Sequence, residues 1–156
     1  MTTEEHLSTI DALAVRPFPE APRTDATGSG GPRHHVRVLQ VSRDFWDDDD
    51  GQAWVEAEAD MMACLDDLAA HLTTRWGHPF FVELGPFLSA ALDGESVPEP
   101  LDELSQQAVS MRVWPLPGAD RWLALAVGQA DKELPLILFV AIGHASALDL
   151  DAVSRT

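Results

Sequence analysis

The chain has 156 residues, 46% hydrophobic and 23% charged, enough for one folded domain that buries roughly 68–70% of its unfolded surface without disulfide or metal staples. Its 26 acidic residues against 10 basic ones leave a net charge of −16, which argues against nucleic acid as a partner, because phosphate binding depends on Lys and Arg displacing counterions; a basic protein partner would instead be drawn in at long range. Cys64 is the single cysteine, the opening MTTEEHLSTIDAL has acids where a secretory signal has bases, and the longest apolar run, LPLILFVAIG at 134–143, is about half of the roughly 20 residues a membrane helix needs, so a cytoplasmic protein with no membrane partner is expected.

Residues 1–33 mix Pro, Gly, Ser, Thr and charge (RPFPEAPRTDATGSGGPR) without a sustained apolar period, and a disordered N-terminal tail is expected there. Within it, EEHLSTIDALAV at 4–15 places Leu7, Ile10 and Leu13 or Ala14 on one helical face, with no good stop signal before Pro17. At HHVRVLQVS the pattern turns to strict alternation, with Val36, Val38 and Gln40 on one side and Arg37, Leu39 and Val41 on the other, which predicts a first strand.

A long helix is expected from about Asp50 to Trp76. Trp54, Ala57, Met61, Cys64 or Leu65, Leu68, Leu72 and Trp76 recur at three- and four-residue spacing, with Glu56, Asp60, Asp67 and Thr74 opposite; Gly77 and Pro79 close it. HPFFVELGPF reads as a second strand, PFLSAAL as a short helix, and Pro100 with acids after it as the start of another short helix. VSMRVWPLP, RWLALAVG and LPLILFVAIG then read as three strands in meander order, the last equally compatible with a buried helix. Residues 146–156 read as a frayed end, and residues 34–145 as one α+β domain: about five mostly antiparallel strands with one long amphipathic helix on one face.

The segment DFWDDDDGQAW at 44–54 concentrates five carboxylates and two tryptophans. A calcium loop fails on register. With Gly51 as its sixth residue, the first ligand position falls on Trp46 and the twelfth on Ala57. Asp at a helix start accepts bonds from orphan backbone N–H groups and favours the positive end of the helix dipole. One or two Asp suffice for that; Asp47, Asp48, Asp49 and Asp50, with Asp44, Glu56, Glu58, Asp60, Asp66 and Asp67 nearby and no basic residue between Arg43 and Arg75, exceed it. Such crowding repels itself, so either solubility or a neutralising partner explains it. Trp46 sits in a connection rather than an element, and an aromatic anchor ringed by acids has the composition of a binding hot spot.

Other chemistry finds little footing. Cys64 lies beside the apolar stripe amid carboxylates that would raise its pKa. His34 and His35 point to opposite faces of a strand and cannot share one metal, and no paired-ligand spacing supports zinc near His71 and His78. TGSGG lacks the Gly-Lys-Ser/Thr of a phosphate loop. No nucleophile elbow is present, and Ala130 stands where a nuclease core would have the acid two residues before Lys132.

From Val36 to Gly143 the order of strand, long acidic helix ending RWG, Pro-flanked strand, PEPL helix and VWPLPGADRWLALAVGQADKELPL resembles small actinobacterial proteins of uncharacterised or toxin-immunity type. The resemblance implies an acidic α/β domain that blocks a cognate toxin, and transfers no residue roles. The expectation is therefore a non-enzymatic immunity or inhibitor protein without a cofactor, occluding a basic partner through Trp46, Asp47, Asp48, Asp49, Asp50, Glu56 and Asp60. Two rivals are kept: a secretion or assembly chaperone, such as a homodimer, holding a client through its sheet surface, and a metal-dependent hydrolase using Asp47–Asp50.

Overall fold

Seven strands form one antiparallel sheet, with two helices on one face and two shorter ones on the other. The structure is a computed structural model that describes residues 2 to 150. Its elements are α1 (Thr3–Val15), β1 (Arg23–Asp25), β2 (Gly28–Gly31), β3 (His34–Val41), α2 (Gln52–Trp76), β4 (Phe80–Glu83), α3 (Gly85–Leu92), α4 (Leu101–Ser105), β5 (Ser110–Pro115), β6 (Arg121–Gly128) and β7 (Ile137–His144), followed by a turn of 3-10 helix at Ala145–Ala147. The sheet order is β1-β2-β3-β7-β6-β5-β4, and every neighbouring pair is antiparallel.

The alternation of β6 and β7 splits the core in two. Leu123, Leu125, Leu138, Val140 and Ile142 face α1 and α2, where they meet Ile10, Leu13, Leu65, Leu68 and Leu72. Trp122, Ala124, Ala126, Phe139 and Ala141 face the other way, against Leu84, Leu101 and Leu104. Both central strands are therefore buried on both sides, which is why LPLILFVAIG is continuously apolar. Its core is strand β7, resolving the strand-or-helix ambiguity.

The α+β class, the long helix on one face and the antiparallel sheet are as expected. The sheet has seven strands rather than about five because β1 and β2 come from the stretch expected to be a disordered tail. Several contacts order that stretch. Thr2 and Glu5 form a reciprocal capping box at the start of α1, and His6, Ile10 and Leu13 are buried. Arg75 pairs with Asp11 at 2.6 Å, and Thr3 Oγ1 donates to Asp67 at 2.6 Å. Where α1 ends, the Arg121 guanidinium donates to the carbonyls of Ala14 and Arg16 and lies 3.9 Å from the Phe18 ring centre. At the other end of the chain, Leu148 is buried in the second cluster, so the expected fraying at 146–156 does not begin at 146. Residues 151–156 lie outside the described residues.

One detail of β3 departs from strict alternation. A register shift between Val38 and Gln40 turns Gln40 toward the helices, where it meets His6 and Cys64, instead of keeping it with Val36 and Val38.

Candidate functional site

The approach to α2 is built by a turn fixed at both ends. Phe45 is buried, and its backbone N–H donates to Glu133 O at 2.9 Å. Its carbonyl accepts from Asp48 N–H at 3.2 Å, closing a four-residue turn whose central residues are Trp46 and Asp47. Those two project outward, and Trp46 is 66% exposed.

Gly51 occupies the N-cap position of α2 with φ +75°, a conformation that suits glycine but leaves no side chain to cap the helix. Asp48 reaches across the gap. Its two carboxylate oxygens accept from Ala53 N–H at 3.0 Å and Trp54 N–H at 3.1 Å, and Asp50 accepts from Gln52 N–H at 3.0 Å. The helix therefore starts at Gln52 rather than Asp50, and the acidic run divides by role. Asp48 and Asp50 satisfy backbone donors, while Asp47 and Asp49 are exposed. Further along, the Trp54 indole N–H donates to Gln129 Oε1 at 3.1 Å, tying the first turn of α2 to the end of β6.

Glu56 and Asp60 lie apart from the turn, on the side of α2 that faces the end of β3. They edge a shallow groove of about 250 Å³ whose floor includes Val41, Ala53, Ala57 and Met61, with Arg43 at its rim. Val41, Val55 and Trp46 are large apolar side chains exposed in this part of the molecule. The seven residues singled out in the sequence thus belong to one end of α2. There they form two features, an acid-flanked tryptophan and a groove of mixed lining in which Gln40, Ser42 and Arg43 stand beside Glu56 and Asp60.

Among the described residues no three His, Cys, Asp or Glu side chains are placed to hold a metal ion together, and Asp48 is already engaged by the helix, so Asp47–Asp50 do not converge as a hydrolytic metal site would require. Cys64 is half-buried, and burial, followed by the Asp67 carboxylate, pushes its thiol above the ordinary value; this is the reverse of an activated nucleophile. His34 and His35 face opposite sides of β3 as expected. His35 Nε2 is 3.2 Å from Arg16 O and its ring packs on Phe18. His34 instead lines a cavity on the side of the sheet away from α2.

That cavity is the main feature that sequence reading missed. It has a volume of about 640 Å³ between the β1–β2 hairpin and the start of α4, and Ser29, His34, Glu99 and Glu103 are among its lining residues. Both Glu103 oxygens lie within hydrogen-bonding reach of Ser29 Oγ, at 2.7 and 2.9 Å. Burial pushes the Glu99 carboxyl up to about 7, reinforced by the Asp102 and Glu103 charges and by a hydrogen bond with Asp102. Burial likewise lowers His34, against the opposing pull of Glu103. VPEPLDEL gave the only available signal, an acidic cluster at a short helix start. The hairpin opposite it lay in the presumed tail.

In comparisons with known proteins, no family model, no curated protein and no solved structure matches the chain. No helix among the described residues is long and apolar enough to cross a membrane.

Proposed function

We propose that this protein is a non-enzymatic binding protein that captures a basic segment of a partner protein at the N-terminal end of α2. The carrying observation is Trp46, held 66% exposed at the tip of a turn anchored by Phe45 and Asp48. A large aromatic kept in water by a fixed backbone is an anchor that costs little conformational entropy to dock. Asp47 and Asp49 beside it, and Glu56 and Asp60 along the groove, supply a field that attracts Lys and Arg. The groove suits such side chains, because an aliphatic stem can lie on Ala53, Ala57 and Met61 while the charged head meets the carboxylates. Occlusion of a toxin's basic active site is the biological form this reading takes.

The chaperone reading asks for an exposed apolar sheet surface. The central strands are covered on one face by α1 and α2 and on the other by α3, α4 and Leu148, which favours the helix-end surface over the sheet as the contact. A homodimer remains compatible with either reading. The test is titration of the full chain with a short Lys/Arg-rich peptide, monitored by tryptophan fluorescence. A saturable spectral shift that disappears in Trp46→Phe supports the reading; a response that survives the substitution overturns it.

A further inference from the structure

On the sheet face opposite α2, the cavity between the β1–β2 hairpin and α4 has the size of a ligand pocket, within the roughly 300–1,000 Å³ typical of such sites. Its walls include Pro22, Pro32, Pro98 and Ala147, and eight of its thirteen lining residues carry polar side chains. Two of them are carboxylates, Glu99 and Glu103, on adjoining turns of chain at the start of α4. Arg23 and Arg33 also line the cavity, yet neither neutralises them. Arg23 pairs with Asp25 at 2.8 Å, and Arg33 donates to Ser146 Oγ at 2.8 Å. Among the described residues no ion pair reaches Glu99 or Glu103. Glu103 has the neutral Ser29 hydroxyl as a side-chain partner, and Glu99 shares a hydrogen bond with a third carboxyl, Asp102.

Half-buried carboxylates without a cation are costly, and a site arranged this way stabilises a cation that enters it. A bare metal ion is poorly served, because no three ligating side chains converge among the described residues and much of the wall is apolar. An organic cation with an apolar body fits both halves of the lining.

We propose that this cavity is a binding site for a protonated alkylamine, its ammonium seated between Glu99 and Glu103 and its apolar body against the proline walls. Ser29 holds Glu103 in place for that contact, and burial lowers the His34 imidazole's pKa against the opposing pull of Glu103, which limits its competition as a cation. The same ammonium is presented by a free amine or by the lysyl side chain of a peptide. Because Glu99 is raised to about 7 in the empty site by burial and by its acidic neighbours Asp102 and Glu103, an entering ammonium favours its ionised form, and affinity rises as pH passes upward through that value. Of the other charged groups lining the cavity, Arg23 is paired with Asp25, whereas Arg33 donates to the neutral Ser146 hydroxyl and keeps its positive charge.

The test is NMR titration of the full chain with phenethylamine, 2-phenylethanol, phenylacetate and an N-acetyl-lysine amide. The expected result is saturable shifts at Ser29, His34 and Glu103 with one or both ammonium probes, at least about tenfold weaker binding of the alcohol, and none of the carboxylate. A response to phenethylamine alone identifies a free-amine site, and one to the lysine amide alone a peptide site. Glu99→Gln and Glu103→Gln should each weaken the amine by about tenfold or more, with folding checked on the same spectra. Equal binding of amine and alcohol, preference for phenylacetate, or no saturable shift with either ammonium probe overturns the proposal, and these comparisons hold on the unmodified chain even if a variant fails to fold.

Discussion

The chain has two acidic clusters in contrasting surroundings. Asp47–Asp50 precede a long helix on the surface, where water screens them and two of the four are engaged by backbone donors. Glu99, Asp102 and Glu103 gather around a short helix beside a cavity, where burial leaves Glu99 protonating near neutrality. Four consecutive Asp attract the eye in a sequence, whereas the carboxyl pushed up to about 7 is the one between two prolines. The number of charges in a run measures its field; the dielectric around each charge decides its chemistry.

The largest expected effect strikes the core beneath the cavity side. A Cβ on Gly143 would overlap the Trp122 indole, and Trp122 is buried with its indole N–H bonded to His144 O at 3.0 Å. Gly143→Ala should therefore destabilise the protein by about 1–3 kcal/mol, measured by urea unfolding, and should disturb the amide signals around His34 before those around Trp46.

Next comes the division of the Asp run. Asp48→Ala leaves two helix N–H groups without their partner and should cost about 1–2 kcal/mol, while Asp47→Asn and Asp49→Asn should change stability by less than about 0.5 kcal/mol or raise it slightly by relieving repulsion. Equal costs at Asp47, Asp48 and Asp49 would erase the distinction between capping and field-making acids.

Glu99 provides an effect of similar size that depends on pH. A carboxyl raised from 4.5 to about 7 on folding binds a proton more tightly in the native state than in the unfolded chain. Its contribution is therefore most favourable below about 4.5 and is lost as pH rises through about 7. After allowance for its partial exposure, the penalty at higher pH is on the order of 1–2 kcal/mol. Glu99→Gln should remove that slope and raise the melting temperature above pH 7, so a pH profile identical to the parent's would contradict it. Trp46→Ala should leave stability within about 0.5 kcal/mol, as small as the effect of Asp47→Asn or Asp49→Asn.

Much of the fold was legible from residue pattern. Trp54, Met61, Leu65, Leu68 and Leu72 fixed the buried face of the long helix, alternation along HHVRVLQVS located a strand, and RWLALAVG read as another in the meander that follows. The first 33 residues were not read correctly, because their order comes from distant partners. Arg121, Asp67 and Arg75 hold α1 from elsewhere in the chain, and β1 and β2 gain strand character by pairing onto β3. Local cues were present in Thr2 and Glu5, at capping-box spacing, and in Ile10 with Leu13. The Pro and Gly content around them outweighed that signal. Trp46 was legible as an exposed candidate because it lay outside any periodic element. The cavity was not legible, since Ser29, His34 and Glu103 are brought together only by the sheet.

The most direct measurement of the proposed function is the association rate of the full chain with a Lys/Arg-rich peptide, followed by tryptophan fluorescence at about 50 and 200 mM salt. In the parent, association should slow steeply with salt, and in Asp47→Asn/Asp49→Asn/Glu56→Gln/Asp60→Asn the rate at low salt should fall by about tenfold with the dependence flattened. A neutralised variant that associates at the parent's rate, with the parent's salt dependence, would contradict a capture surface at the end of α2.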